Sequence, residues 1–274
     1  MNNHQSDRLS EQHKIRHGVI DIFCEAAKSH DKGVGENALL TFECLKQLFP
    51  KLTFRHRKSI KKKEINAKLQ SLDPELGKTL ILDNSEIKPD GGVIEVLDDN
   101  GNWRIVLVTE AKHQGKDIEN IRQGIKVGKK NNQDLMAAGN AIERSYKNIE
   151  EIANLMLDEI YFPYVLFLAG SNFLTHDIQV KRPNGEVITL KYTNGTLNRL
   201  DRLTAANYGL PLNTNLCKNK FISCDELNIM LQAVSIYAQP EGELWDNAEM
   251  VKIMLDISQT SIQLLAQDLF NQLI

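Results

Sequence analysis

One stretch of the chain, residues 164–168 (YVLFL), is apolar at every position. A continuous apolar run of this length predicts a β-strand that is buried on both of its faces. A strand of this kind has to lie between layers of other elements, and amphipathic helices commonly form those layers. The run therefore predicts a layered protein of the α/β class.

The other predicted elements alternate between helices and strands. Apolar residues at helical spacing predict helices over residues 12–29, 35–48, 142–156, 197–206, 225–238 and 246–273. Strands are predicted over residues 80–82, 93–97, 103–109, 178–180 and 187–192. Asn100-Gly101 and Asn184-Gly185 separate pairs of these strands, and Asn-Gly between apolar runs is typical of a β-hairpin. We predict an α/β fold with a central mixed β-sheet flanked by helices.

No internal repeat, low-complexity segment or linker divides the 274 residues, so a single domain over residues 1–274 is expected, with residues 1–16 as a flexible N-terminal arm. The polar N-terminus does not resemble a signal peptide, and no apolar stretch is long enough to span a bilayer. The four cysteines are scattered and form no CxxC pair, which favours buried free thiols over a zinc site or disulfides. A cytoplasmic protein without membrane contact is expected.

The charge is distributed unevenly along the chain. The net charge of -3 argues weakly against a nucleic-acid partner, since domains that bind nucleic acid are often basic. Residues 51–63 nevertheless contain seven Lys or Arg and no acid, whereas residues 225–274 contain eight acids and one base. A basic face for phosphates on a neutral protein and an ordinary solvated surface both fit this pattern.

The segment from Lys88 to Lys112 carries the clearest chemistry. Asp90 precedes the first strand of the Asn-Gly hairpin, and Glu110 ends the second. The start of one antiparallel strand lies beside the end of its partner, so the two carboxylates are expected to meet. Lys112 falls on the same face as Glu110 because strand side chains alternate. Two glycines follow Asp90, and we expect them to let the backbone approach a bulky ligand.

Two carboxylates and an ammonium group around one point suit phosphodiester hydrolysis. Mg²⁺ takes oxygen ligands and commonly uses one or two carboxylates with water and substrate phosphate. A bound metal acidifies the attacking water, and a nearby cation stabilises the developing charge. The same D…ExK spacing also fits a surface salt-bridge cluster at the end of a hairpin, because so short a pattern arises by chance.

Longer runs of the chain resemble a known family. Residues 110–117 (EAKHQGKD) and 134–145 (DLMAAGNAIERS) are similar to the EcoRI family of type II restriction endonucleases, within the PD-(D/E)xK nuclease superfamily. The resemblance extends over nearly the whole chain. Its further segments are residues 11–14, 59–62, 162–168, 199–208 and 268–270.

The resemblance implies a set of catalytic residues and a metal. Asp90 and Glu110 match the family's metal-binding carboxylates, and the backbone carbonyl of Ala111 matches a further ligand. Lys112 matches the lysine that positions or activates water. All of these residues are present, so the resemblance implies a restriction-endonuclease-like core and an active Mg²⁺-dependent enzyme.

The resemblance also implies residues that contact DNA. Base recognition is implied for Met136, Ala137, Gly139, Asn140, Ala141, Glu143, Arg144, Arg199 and Arg202, and backbone contact for Lys88, Gln114, Lys116, Lys129 and Lys147. Asn and Arg side chains in the major groove suit such recognition, although a small-residue loop ahead of a helix and ordinary exposed arginines fit the residues alone. Thr196 stands where the family has an aliphatic residue against a thymine methyl group.

The family resemblance further implies a homodimer that cuts the palindrome GAATTC after the guanine, leaving 5'-phosphate overhangs. A cognate methyltransferase would protect host DNA as a functional partner. Two alternatives remain at this point: another PD-(D/E)xK nuclease without the Asn140 to Arg144 recognition segment, and a catalytically silent DNA-binding module. The second would be expected to lack Asp90, Glu110 or Lys112, and this chain has all three.

Overall fold

A computed structural model of the protein describes residues 25–78, 85–126, 142–191, 200, 203–225 and 227–274, with the backbone alone for residues 25–29, 142–145 and 224. The helices are α1 (Glu25–Leu48), α2 (Lys62–Leu72), α3 (Asp117–Arg122), α4 (Ile142–Leu155), α5 (Asn247–Leu264) and α6 (Phe270–Leu273). The strands are β1 (Phe54–Arg57), β2 (Ile60–Lys61), β3 (Glu86–Ile87), β4 (Gly92–Leu97), β5 (Trp103–His113), β6 (Tyr164–Ala169), β7 (Ile178–Lys181), β8 (Val187–Leu190), β9 (Lys220–Cys224), β10 (Leu227–Leu231) and β11 (Ser235–Ala238).

Five of these strands form the central sheet, in the order β1-β4-β5-β6-β11. The pairs β1–β4 and β4–β5 are antiparallel, whereas β5–β6 and β6–β11 are parallel. Three two-stranded units, β2–β3, β7–β8 and β9–β10, lie outside this sheet. The prediction of a mixed sheet is confirmed.

Apolar clusters cover both faces of the sheet. On one face, α1 and α5 contribute Val34 and Met254 to a cluster that includes Phe167 of β6. On the other, α2 and α4 contribute Ile65 and Ile152 to a second cluster. All six residues of β6 are buried, as the continuous apolar run predicts. The α/β class with flanking helices is therefore confirmed.

A β-bulge interrupts the pairing of β4 with β5. Ile94 pairs with Leu107 and Glu95 with Ile105, so Val106 is an extra residue on β5. The extra residue reverses the alternation of side chains along the strand. Ile105 and Val108 consequently face the same cluster, on the side of α4. Continued alternation from Val108 directs the side chains at positions 110 and 112 to that side as well.

The first Asn-Gly hairpin forms as predicted. The carboxylate of Asp98 accepts hydrogen bonds from the backbone N–H groups of Asn100 (3.0 Å) and Asn102 (2.7 Å). Gly101 has a φ of 81°, which glycine adopts at low cost. The second hairpin, β7–β8, and the helix predicted from residue 142 onward are also confirmed. Residue 200 and residues 203–206 of the predicted 197–206 helix are helical.

The helix predicted over residues 225–238 is wrong. The chain instead forms the β9–β10 hairpin and then β11. Asp225 takes a positive φ of 51° in the hairpin connection, which stops a helix there. β11 is buried at all four positions and pairs in parallel with β6, so tertiary pairing overrides the local helical pattern.

Two predicted helix boundaries are also wrong. The long helix expected over residues 246–273 ends at Leu264, and a turn separates it from the short α6. The separate helix expected to begin at residue 35 is part of a single helix, Glu25–Leu48, that runs through Gly33 and Gly35. The predictions for residues 12–24 and for the strand 80–82 lie outside the described residues, as does the N-terminal arm.

The basic segment 51–63 contains structure that the sequence did not predict, namely β1, β2 and the start of α2. Several of its cations are paired: Arg55 and Arg57 both contact Glu95, and Lys62 contacts Glu151 at 2.7 Å. This pairing reduces the cationic surface left for phosphates. Cys217 is a buried free thiol, as expected, whereas Cys44 is free but only partly buried. Within the described ranges, no helix is long and apolar enough to cross a membrane.

Candidate active site

The base of the β4–β5 hairpin brings Asp90 and Glu110 together. Gly92 pairs with Thr109, and the N–H of Gly91 donates to the carbonyl of Thr109 at 3.0 Å. Asp90 therefore stands beside the end of β5, as the sequence predicts. A Cβ on Gly92 would lie 2.5 Å from the carbonyl of Arg57, and its φ is +75°. The close approach that this glycine permits is thus to the protein's own backbone, not to a ligand as expected.

Lys112 lies at the centre of the group. Its ammonium donates to Glu110 Oε1 at 2.7 Å and to the carbonyl of Ala111 at 2.8 Å. It also contacts Asp90 Oδ2 at 3.3 Å, and that oxygen accepts from the N–H of Ala111 at 3.0 Å. One cationic group thus touches all three oxygens that the family resemblance assigns to a metal.

Burial and charge set the protonation of this group. Burial raises the pKa of Glu110, and the charge of Asp90 raises it further while Lys112 lowers it. Burial lowers the pKa of Lys112, but the charges of Glu110 and Asp90 outweigh that effect and hold the pKa above its ordinary value. Lys112 is therefore a hydrogen-bond donor and a fixed positive charge near neutral pH.

These residues fit a hard divalent cation. The Lys112 ammonium is a stand-in cation, since it already lies within 3.3 Å of two carboxylates and a backbone carbonyl. Such an oxygen set, completed by water and phosphate, is the one that Mg²⁺ prefers. No cluster of three or more His, Cys, Asp or Glu side chains suited to a metal occurs among the described residues.

The sequence did not reveal two neighbours of the site. Asn148 of α4 donates from Nδ2 to Glu110 Oε1 at 3.2 Å. Asp31 of α1 interacts electrostatically with the site. Burial, and then the charge of Asp90, raise the pKa of Asp31 to about 7. Both residues lie far from the hairpin in sequence and belong to amphipathic helices, so no local motif marks them.

The predicted DNA contacts are only partly described. Residues 136–141, Lys129, Thr196, Arg199 and Arg202 lie outside the described residues, as do the side chains of Glu143 and Arg144. Lys88 and Lys147 are both 67% exposed, which leaves them accessible to DNA. Lys116 is half-buried, whereas Gln114 is 2% exposed. Phosphate contact by Gln114 stays a prediction, and it would require the side chain to become accessible.

A mixed sheet between helical layers, with two carboxylates and a lysine gathered at one hairpin, defines a nuclease with a restriction-endonuclease-like core. Known proteins agree: the family model described as "Restriction endonuclease EcoRI" matches residues 16–272. The chain is 61% identical to the type II restriction enzyme EcoRI of Escherichia coli, over 99% of this chain and 98% of that protein. It is 44% identical to the type II restriction enzyme RsrI of Cereibacter sphaeroides, over 97% and 95% of the respective chains. The chain belongs to the EcoRI family and is a type II restriction endonuclease, a hydrolytic nuclease that acts on DNA.

Proposed function

We propose that the protein is a Mg²⁺-dependent endonuclease that cuts duplex DNA at GAATTC after the guanine, leaving 5'-phosphate overhangs. Its place is in a restriction-modification system in the cytoplasm, where a cognate methyltransferase protects host DNA. The observation that carries the proposal is the convergence of Asp90, Glu110 and the Ala111 carbonyl on one cation within 3.3 Å.

The side chains divide the work of phosphodiester hydrolysis. Asp90, Glu110 and the carbonyl of Ala111 would hold Mg²⁺, which when bound supplies charge neutralisation and an acidified water. Lys112, protonated and 2.7 Å from Glu110, is placed to orient water and to stabilise negative charge on the phosphate. We propose that Lys112 positions or activates the attacking water.

Specificity is assigned to the segment that leads into α4. Asn140 and Arg144 have side chains that pair with base edges in the major groove, and Glu143 can accept from an exocyclic amine. The helix that carries positions 143 and 144 also carries Asn148, which contacts Glu110. Recognition and catalysis would therefore share one helix.

A palindromic site implies a symmetric protein. Two copies related by a two-fold axis present identical elements to both half-sites, with one active centre for each strand. We therefore propose a homodimer as the functional unit. Sedimentation of the purified protein at micromolar concentration should give twice the 31.1 kDa mass of one chain.

The function is tested by incubating the purified protein with a sequenced plasmid, with and without Mg²⁺, and mapping the ends. We expect discrete fragments ending within GAATTC only when Mg²⁺ is present. The Glu110→Gln control should not cut. Discrete ends at another sequence would support endonuclease activity but overturn GAATTC as the recognition sequence. Sequence-specific binding without cutting by the unmodified protein would favour a silent DNA-binding module.

A further inference from the structure

A buried tyrosine lies beside the active site without a place in the chemistry above. Tyr164 begins β6, and its side chain is fully buried. In the parallel pairing of β5 with β6, Val108 is opposite Tyr164, and Glu110 is opposite Leu166. Because side chains two residues apart share a face, Tyr164 and Glu110 lie on the same side of the sheet.

Two buried polar atoms remain after the other contacts are assigned. Oε1 of Glu110 accepts from Lys112 (2.7 Å) and from Asn148 (3.2 Å). Oε2 of Glu110 and the hydroxyl of Tyr164 are both buried, and neither has a hydrogen-bond partner that meets standard geometry among the described residues. Leaving a buried hydroxyl without a hydrogen bond is destabilising, so such groups nearly always have a partner.

The hydroxyl and the carboxylate are suitable partners. The Tyr164 hydroxyl lies close enough to the Glu110 carboxylate to interact with it. A tyrosine hydroxyl donates a hydrogen bond, and a carboxylate oxygen accepts one. A carboxylate oxygen has two lone pairs, so accepting this hydrogen bond leaves capacity for a metal ion.

We propose that Tyr164 is a positioning residue for Glu110: its hydroxyl donates to Oε2 and fixes the rotation of the carboxylate. Lys112 and Asn148 hold one oxygen and Tyr164 holds the other, so the group is oriented before a metal arrives. This inference rests on the proposed function in that Glu110 is taken as a metal ligand.

The size of the effect follows from other metal sites. Residues that orient a metal-binding side chain are typically worth 10–100-fold in metal affinity, on the order of 1.4–2.7 kcal/mol. Tyr164 is fully buried and is not among the residues proposed to contact DNA. Loss of its hydroxyl should therefore weaken metal binding and leave DNA affinity in the absence of metal unchanged.

The test compares Tyr164→Phe with Tyr161→Phe. Tyr161 is also buried, and its hydroxyl donates to Asn215 at 2.9 Å, so the control removes an equivalent group elsewhere. Mn²⁺ is titrated into each full-length protein bound to an already cleaved duplex, and free Mn²⁺ is counted by electron paramagnetic resonance. We expect Tyr164→Phe to need about 10-fold more Mn²⁺ for half occupancy. Tyr161→Phe should match the unmodified protein.

A second measurement separates positioning from general damage. In single-turnover cleavage, the rate of Tyr164→Phe should fall at limiting Mg²⁺ and recover as Mg²⁺ approaches saturation. Circular dichroism establishes that each variant is folded, and the titrations are run at 4 °C if Tyr164→Phe melts early. Mn²⁺ affinity of Tyr164→Phe within twofold of the unmodified protein would overturn the inference. If Glu110→Gln binds Mn²⁺ as well as the unmodified protein, the metal-ligand role in the proposed function fails instead.

Discussion

Each carboxylate at the active site is held by donors of the protein itself. Asp90 accepts from the backbone of Ala111, and Glu110 accepts from Lys112 and Asn148. These bonds fix the acceptors before substrate binds, which lowers the cost of organising a metal site. The amide analogues Asn and Gln keep the shape of the two side chains and remove the charge that a divalent cation needs.

We expect Asp90→Asn and Glu110→Gln each to reduce cleavage by at least about 10³-fold while specific DNA binding persists, because the charge lost serves the metal and not the bases. Cleavage rates with Mg²⁺ and binding titrations without it measure the two effects. Glu43→Gln, which removes an exposed carboxylate of α1, serves as the control and should cut normally. Full-rate cutting by either active-site variant would remove that residue from the metal site.

His113 should make stability depend on pH. Burial, followed by the charges of His30 and Lys116, lowers its pKa to about 4, below the ordinary value near 6.5. As the pH falls, His113 is therefore protonated near pH 6.5 in the unfolded chain but only near pH 4 in the folded protein. The stability that depends on neutral His113 is fully present above pH 6.5 and is lost as the pH falls towards 4.

From this shift we expect His113 to account for a loss of about 2 kcal/mol in the free energy of unfolding between pH 7.5 and 5.0. Urea unfolding at the two pH values measures it. His113→Gln should show a smaller difference between the two conditions, whereas His176→Gln, at an exposed position, should retain the full difference. Equal pH dependence in all three proteins would contradict the assignment.

The residues that the sequence revealed at the site are those with a distinctive chemistry in a short segment. Asp90, Glu110 and Lys112 are placed by one hairpin, and strand geometry alone predicts that they meet. Tyr164 gave no such signal because a tyrosine at the start of an apolar strand is most simply a core residue. Nothing in the sequence marked Asn148 as a site residue either, since polar residues are expected along an amphipathic helix.

Among the elements, α4 has the most direct link to the chemistry, through Asn148. Asn148→Ala removes one donor from Glu110, at a cost of about 1 kcal/mol, which corresponds to roughly a fivefold slower cleavage rate. Asn148→Asp should be slower still, because it places a second negative charge where the donor was. Single-turnover rates at fixed Mg²⁺ measure both. Cleavage by Asn148→Asp at the unmodified rate would show that the contact has no role.

Prediction of elements from the sequence succeeded where the local pattern and the tertiary context agree. The turn at Asn100-Gly101 and the apolar run of β6 carry strong local signals, and both form as expected. Residues 225–238 have apolar positions that fit either periodicity, and pairing with β6 decides in favour of a strand. The basic segment 51–63 was difficult because its strands β1 and β2 are only four and two residues long.

Across the whole molecule, Arg104 ties together three distant segments. Its guanidinium binds Glu159 through two hydrogen bonds of 2.8 and 2.6 Å, and it contacts Asp268 at 2.8 Å. Glu159 follows α4, and Asp268 lies in the turn between α5 and α6, where the predicted long helix breaks. An interaction between residues so far apart cannot be inferred from one sequence.

We expect Arg104→Ala to lower the free energy of unfolding by about 2–3 kcal/mol, because it leaves Glu159, Asp268 and the buried Asp98 without their shared cation. Arg122→Ala breaks an exposed pair with Glu243 and should cost less than about 1 kcal/mol. Urea denaturation at neutral pH compares them. A loss of the same size in both variants would show that the Arg104 network adds no more than a surface pair.

The β-bulge at Val106 makes the active site sensitive to parity. The side chains of a strand alternate between its two faces. When residues are added or removed between the hairpin turn and Glu110, their number, odd or even, therefore decides which face Glu110 occupies. An odd change would present Thr109 and Ala111 to α4 in place of Glu110 and Lys112, whereas an even change would preserve the order. A one-residue insertion or deletion in this part of β5 would therefore have to be matched by the gain or loss of a bulge to keep Glu110 and Lys112 facing α4.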